Sequence, residues 1–185
     1  ARAARALPGR HARGAAFPAL GPHGHGGTGR SHPPSGRGRC DPDRRHQRAG
    51  RAIKSVLEGN VEQSTRNEAA YRLARIYVQK DDPRNALNTI EKITGKIPEK
   101  IREDELFLRA QIYMLTGKFE EAIKILQGLQ SAKNFEGFST YNLGIALIQN
   151  GQELAGYEQL DKAGQINSND EGTLAIRDKA NLMLG

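Results

Sequence analysis

The chain has 185 residues, of which 37% are hydrophobic and only 5% aromatic, with no Trp. That is enough apolar material for one ordinary domain, or a domain with a tail, and too little aromatic material for an aromatic-rich β-sandwich. A single Cys excludes a disulfide framework and a four-Cys zinc module, and the formal charge of +7 is unevenly held: residues 1–50 carry ten Arg and two acids, residues 51–185 carry 18 basic and 19 acidic side chains.

Residues 1–50 contain ten Gly, six of the eight Pro and all five His, and no Lys, Glu, Ile, Val or Tyr. Leu7, Phe17 and Leu20 are almost their only large apolar groups. Burial so small cannot offset the entropy of ordering the backbone, so this Arg/Gly/Pro/His-rich segment reads as a disordered tail. Its residues are those of GC-rich codons, whereas the rest of the chain is rich in Ile, Lys and Asn. The abrupt switch near Arg51 points to a leader or an out-of-frame translation, that is, to a non-native stretch. Arg37, Arg39, Arg44, Arg45 and Arg48 could attract nucleic acid electrostatically, but no aromatic side chain interleaves with them to stack bases. His23, His25, His32, Cys40 and His46 are metal-ligand types, but their spacing fits no zinc pattern, so no metal is expected. Arg and Pro interrupt every stretch, which leaves no apolar core for a signal peptide.

From Arg51 onward Gly and Pro become sparse and apolar residues recur at helical spacing. Ala52 and Val56 stand 34 residues before Ala86 and Ile90, so 51–66 predicts the second helix of a partial repeat. Over 67–100, Leu73, Ile76 and Tyr77 share one helix face, and Asp81-Asp82-Pro83 breaks the pattern. Over 103–136, Leu106, Arg109, Ala110 and Tyr113 recur in the same way before a break at Thr116-Gly117. A third unit, 137–170, breaks at Asn150-Gly151, and Leu174 to Leu184 reads as the first helix of a further partial unit, 171–185. Ala74-Arg75-Ile76-Tyr77 aligns with Ala110-Gln111-Ile112-Tyr113 and with Gly144-Ile145-Ala146-Leu147, at offsets of 36 and then 34 residues. No segment alternates with period two, so no sheet is expected. Each unit places small residues where two helices would approach most closely: Ala74 with Ala86, Ala110 with Ala122, Gly144 with Gly156.

On these residues the chain resembles the tetratricopeptide repeat family. The first unit offers Ala70, Leu73, Ala74, Tyr77, Ala86, Ile90, Ile93 and Pro98 at the family's preferred places; the second offers Leu106, Ala110, Tyr113, Ala122, Leu126 and Leu129; the third offers Thr140, Leu143, Gly144, Leu147, Gly156, Leu160 and Ala163. Leu115 to Ala122 looks very like the family's turn between helices. The sequence departs from the pattern at Arg109, where an apolar residue is usual, and at Gly156, where Ala is usual. Ile93 and Leu129 are larger than the usual Ala, and two of the three units lack the terminal Pro. The resemblance covers about 51–184 and implies an all-α, right-handed α-solenoid of antiparallel helix pairs, which begins and ends in half-units and so reads as a piece of a longer array.

No active site is legible. No His follows residue 46, no Cys follows residue 40, and neither GxxxxGK[ST] nor GxGxxG occurs, so no catalytic residue and no cofactor is expected. Asp81-Asp82, Asp104-Glu105 and Glu120-Glu121 are read as helix-start or turn carboxylates. The resemblance implies a concave groove lined by the first helix of each pair. Carried over residue by residue, that groove would present Tyr71, Arg75 and Val78, then Phe107, Gln111 and Met114, then Phe138, Tyr141, Ile145 and Ile148, with Glu68 and Asp104 at its edge. An aromatic recurs at one register (Tyr71, Phe107, Tyr141) and could form a ladder against a peptide, or pack between neighbouring units. Tyr157, Phe119 and Phe135 read as inter-helix packing. The expected function is a non-catalytic scaffold for a protein or peptide partner. The alternatives are nucleic-acid association through the tail alone and a structural piece that self-associates through its ends. No apolar run approaches the ~18 residues of a membrane span, and the compartment defaults to the cytoplasm with an exported protein equally compatible.

Overall fold

A computed structural model describes residues 42–132, 134–168 and 170–185. Among them are eight helices and no strand: α1 (Pro42–Glu58), α2 (Gln63–Gln79), α3 (Pro83–Ile90), α4 (Glu99–Leu115), α5 (Phe119–Leu129), α6 (Glu136–Gln149), α7 (Glu153–Gly164) and α8 (Glu171–Leu184). Each helix packs on its sequence neighbour, and α2 reaches α4 and α6 reaches α8 across the intervening helix. The chain is thus a tetratricopeptide-like solenoid of three helix pairs, α2–α3, α4–α5 and α6–α7, flanked by α1 and α8.

Two boundaries differ from the sequence reading. Helix α1 begins at Pro42, so residues 42–50 of the segment expected to be disordered are helical, and the tail reading for residues 1–41 lies outside the described residues. Arg44, Arg45, Arg48, Arg51 and Lys54 favour helix, and α1 has a side to lay against α2. The first helices of the pairs also start earlier than expected, at Gln63 and Glu99 rather than 67 and 103. Glu99 enters directly after Pro98, a residue that cannot continue a helix from its N-terminal side but readily precedes one.

The three turns inside the pairs share one geometry. Asp82, Lys118 and Gln152 donate their backbone N–H to the carbonyls of Tyr77, Tyr113 and Leu147 at 2.9, 2.8 and 2.8 Å. Asp81, Gly117 and Gly151 sit before them in the left-handed region, at φ of 56°, 77° and 80°. This closes the end of each first helix with a six-to-one bond and turns the chain back on itself. Helix α3 then starts on Asp82, whose carboxylate accepts from the Asn85 N–H at 3.2 Å, with Pro83 at the first helical position.

The small-residue prediction holds at the helix crossings. Ala74, Ala86, Ala110 and Ala122 are fully buried. In the third pair a methyl on Gly144 would lie 2.9 Å from the Gly156 carbonyl oxygen, and one on Gly156 would lie 2.7 Å from the Gly144 carbonyl oxygen. Backbones this close admit no Cβ, which explains why Gly stands where the pattern favours Ala.

Apolar burial falls into two clusters that meet on α4. Leu108 and Ile112 join Ala70, Tyr71, Ile90 and Ile93 on the N-terminal side. Phe107, Ala110 and Met114 join Leu126, Phe135, Phe138, Tyr141 and Leu160 on the other. Among residues 44–58 of α1 none reaches full burial, although Leu57 packs against the N-terminal cluster.

Candidate functional site

The residues expected to line a groove lie on α2, α4 and α6. Their aromatic ladder is not an open surface: Tyr71, Phe107 and Tyr141 are all buried, at 9%, 3% and 6% exposure. Phe107 lies against Phe135 and Phe138, with ring centroids 5.3 and 6.2 Å away in tilted and edge-on arrangements. Tyr141 points its hydroxyl at the Met183 sulfur of α8, 3.5 Å away. Burial pushes both tyrosine phenols upward, with Asp104 adding to the effect at Tyr71. The rings therefore join successive units, and Gln111, Met114 and Phe138 are buried with them.

The remaining expected residues are half-buried. Arg75 and Val78 flank Tyr71 on α2, and Val78 packs on the N-terminal cluster. Ile145 and Ile148 flank Tyr141 on α6, but Ile148 turns toward α7, where its Cγ1 would lie 2.5 Å from a methyl on Gly156. The accessible part of this set is thus graded. At its N-terminal end Glu68 pairs with Arg72 (2.6 Å) and Lys100 (3.0 Å), which hold its carboxyl below the usual value, Lys100 most strongly. At its C-terminal end it is aliphatic, around Ile145.

Two residues the sequence reading placed elsewhere prove structural. Glu105, expected near a helix start, lies within α4 and is fully buried. Arg109, the departure from the apolar pattern, donates to Glu105 Oε1 from Nε at 2.8 Å and from a terminal nitrogen at 2.5 Å. The same guanidinium donates at 3.1 Å to the Ile90 carbonyl at the end of α3, which also accepts the Ile93 N–H at 3.2 Å. Glu105 Oε2 is buried without a hydrogen bond, and burial pushes this carboxyl up against the opposing pull of Arg109. Asn67, also fully buried, donates to the Thr94 and Lys96 carbonyls at 2.8 and 3.3 Å and so ties the loop after α3 to the start of α2. A charged residue four positions before an Arg on an otherwise apolar face was the available signal for the Glu105–Arg109 pair.

Phe135 is buried as expected, and Phe119 is half-buried. Tyr157 is not inter-helix packing: it is 46% exposed on α7, beside Leu154. Residues Leu182, Met183 and Leu184 of α8 are exposed as well. Arg44, Arg45 and Arg48 are exposed on α1, and Arg37, Arg39, His23, His25, His32 and Cys40 lie outside the described residues. Among the described residues no group of three His, Cys, Asp or Glu is placed to hold a metal ion, and no helix is long and apolar enough to cross a membrane.

Residues 106–134 match the family model described as tetratricopeptide repeat. The match begins at Leu106 on α4 and spans the turn at Gly117 and helix α5. No curated protein matches the chain significantly. Among solved structures, the chain is similar in fold to a crystal structure of MamA, with a TM-score of 0.54 at 17% identity, over 76% of this chain and 90% of that one. The chain therefore carries a tetratricopeptide repeat at residues 106–134 within a helical solenoid of that type.

Proposed function

We propose that the chain is a non-catalytic scaffold that binds a protein or peptide on the face shared by α2, α4 and α6. The observation that supports this reading most is the graded surface over a rigid floor. The buried rings of Tyr71, Phe107 and Tyr141 fix the spacing of the three helices, and Arg75, Val78 and Ile145 stand half-buried above them. A surface whose shape is set in advance loses little entropy on binding, which suits recognition by a solenoid. Affinity would come from covering Val78 and Ile145, and orientation from Arg75 and the Glu68 ion pairs.

The test is a comparison of partners retained by the full chain and by an Arg75→Glu/Val78→Asp/Ile145→Asp variant whose helical circular dichroism is unchanged. Loss of the same partners in the variant supports the reading. Identical retention by the two sinks it and moves the binding surface elsewhere on the molecule.

A further inference from the structure

The face of α2 opposite the groove carries a second, independent surface. At about 100° per residue, Leu73, Ile76 and Tyr77 lie roughly half a turn around α2 from Tyr71, Arg75 and Val78. Between α5 and α6 the corresponding face is closed: Leu143, Ala146 and Leu147 are buried. Against α2 the neighbour is α1, which buries none of its residues 44–58 fully and leaves Ile76 and Tyr77 half-buried. Two clefts remain beside α1. One, of about 290 Å³, is floored by Leu73, Ile76 and Tyr77. The other, of about 660 Å³, runs on between α1, α2 and α3 past Leu57 and Ala70. Lys54, Leu73 and Tyr77 line both, so the two clefts adjoin in one apolar-floored region.

The rim of this region is cationic. Arg51, Lys54, Arg66 and Lys92 stand around it, and Glu58 is the one acidic side chain among its lining residues. Lys54 and Lys92 are exposed, and Lys54 lies 5.8 Å from the centre of the Tyr77 ring. Arg66 donates from one terminal nitrogen to the Gly59 carbonyl at 3.3 Å, while its Nε–H is buried without a hydrogen-bond partner. The remaining terminal N–H groups are the donors the guanidinium keeps for a carboxylate.

We propose that the cleft between α1, α2 and α3 receives an acidic peptide segment of a partner protein, anchored by apolar side chains on Leu73, Ile76 and Tyr77 and held by carboxylates on Arg51, Lys54, Arg66 and Lys92. Charge complementarity chooses this occupant. An apolar floor within a positive rim is matched by a chain that alternates apolar anchors with Asp and Glu. A nucleic acid would satisfy the rim and waste the floor, because the two rings among the lining residues, His46 and Tyr77, with Lys54 standing over Tyr77, form no row on which successive bases could stack.

The test uses the full chain and a fluorescein-labelled peptide of Glu and Leu, with Leu at helical spacing, followed by anisotropy at two salt concentrations. Binding that weakens with salt, falls about tenfold or more in Arg51→Glu/Lys54→Glu, and changes less than about twofold in Arg75→Glu supports the proposal. Both rim residues are exposed, so the double variant is expected to stay folded. Replacing the peptide's Glu by Gln, or its Leu by Ser, should each weaken binding. Equal affinity for every variant and peptide overturns the proposal. Loss only in Arg75→Glu overturns it in favour of the opposite face, and a single-stranded oligonucleotide that binds more tightly and displaces the peptide overturns it in favour of nucleic acid.

Discussion

The junction between the second and third helix pairs is made of rings, and the junction between the first and second is made partly of charge. Across the former, Phe107 of α4 meets Phe135 and Phe138 at the entry to α6. Across the latter, Ile90, Ile93, Leu108 and Ile112 provide apolar contact, but Arg109 of α4 bolts Glu105 to the Ile90 carbonyl, and Lys118 reaches Glu91 at 2.9 Å. The same backbone repeat therefore tolerates two neighbour chemistries. In a solenoid each unit is held mainly by such neighbour contacts, so the choice sets where the array gives way.

The largest effect is expected at the aromatic junction. Phe107→Ala removes a ring that is 3% exposed and touches two others, and should cost about 3–5 kcal/mol. The loss should appear as a lower urea midpoint for the whole C-terminal cluster. A change below about 1 kcal/mol would return the ring to the groove surface where the sequence reading placed it.

Breaking the polar junction sharpens the contrast. Arg109→Leu restores the residue type found at Leu73 and Leu143 in the other pairs, but it strands the Glu105 carboxylate. That should cost about 3 kcal/mol, at the low end for a buried pair because Arg109 keeps 17% of its side chain exposed. Adding Glu105→Ala should recover part of this loss, since it removes the stranded carboxylate while the smaller side chain leaves space in the core. The parent should also show a pH signature. Burial holds the folded Glu105 carboxyl above its ordinary 4.5, so the folded state binds the extra proton. Stability should then fall as pH rises from about 4.5 through the folded value, and this slope should vanish in Glu105→Ala/Arg109→Leu. Denaturant titrations across that range read both effects.

Within a pair, Gly156→Ala tests whether close approach or helix propensity wins. Propensity alone predicts a gain of about 0.5–1 kcal/mol for Ala in a helix interior. The added methyl, however, would meet the Gly144 carbonyl oxygen at 2.7 Å, and backbone cannot rotate away. A net loss of about 1–3 kcal/mol in thermal or urea unfolding is expected.

The fold was legible because its determinants are local and repeat. The small residues at 74, 86, 110, 122, 144 and 156 and the breaks near 81, 117 and 151 carry the helix crossings and turns, and each signal supports its copies. The surface was less legible. A ring at the register of Tyr71, Phe107 and Tyr141 faces the groove in a single unit but meets the next unit once they stack, and that depends on partners such as Phe135 and Met183 from elsewhere in the chain. Composition hid α1 for a similar reason. Arg favours helix as much as it favours solvent, and nothing in 42–50 announces that Leu57 further along will dock the helix on the N-terminal cluster.

The smallest effect lies in the turns. Asp81, Gly117 and Gly151 occupy the same left-handed position, yet only the first carries a side chain there. An L-residue pays for that conformation, although Asp tolerates it better than most. Asp81 also places a negative charge beside the C-terminus of α2, where the helix dipole disfavours one. Both penalties disappear in Asp81→Gly, and the greater freedom of Gly in the unfolded chain opposes them. The balance should favour the variant by up to about 1 kcal/mol, read as a higher urea midpoint with an unchanged slope. The converse change, Gly117→Asp, should cost a similar amount, because the second turn has the same backbone bonds, from Gly117 N–H to Met114 at 3.3 Å and from Lys118 N–H to Tyr113 at 2.8 Å. If Asp81→Gly lowers the midpoint instead, the Asp81 side chain contributes more to the first turn than its conformation costs, and the three turns are not equivalent.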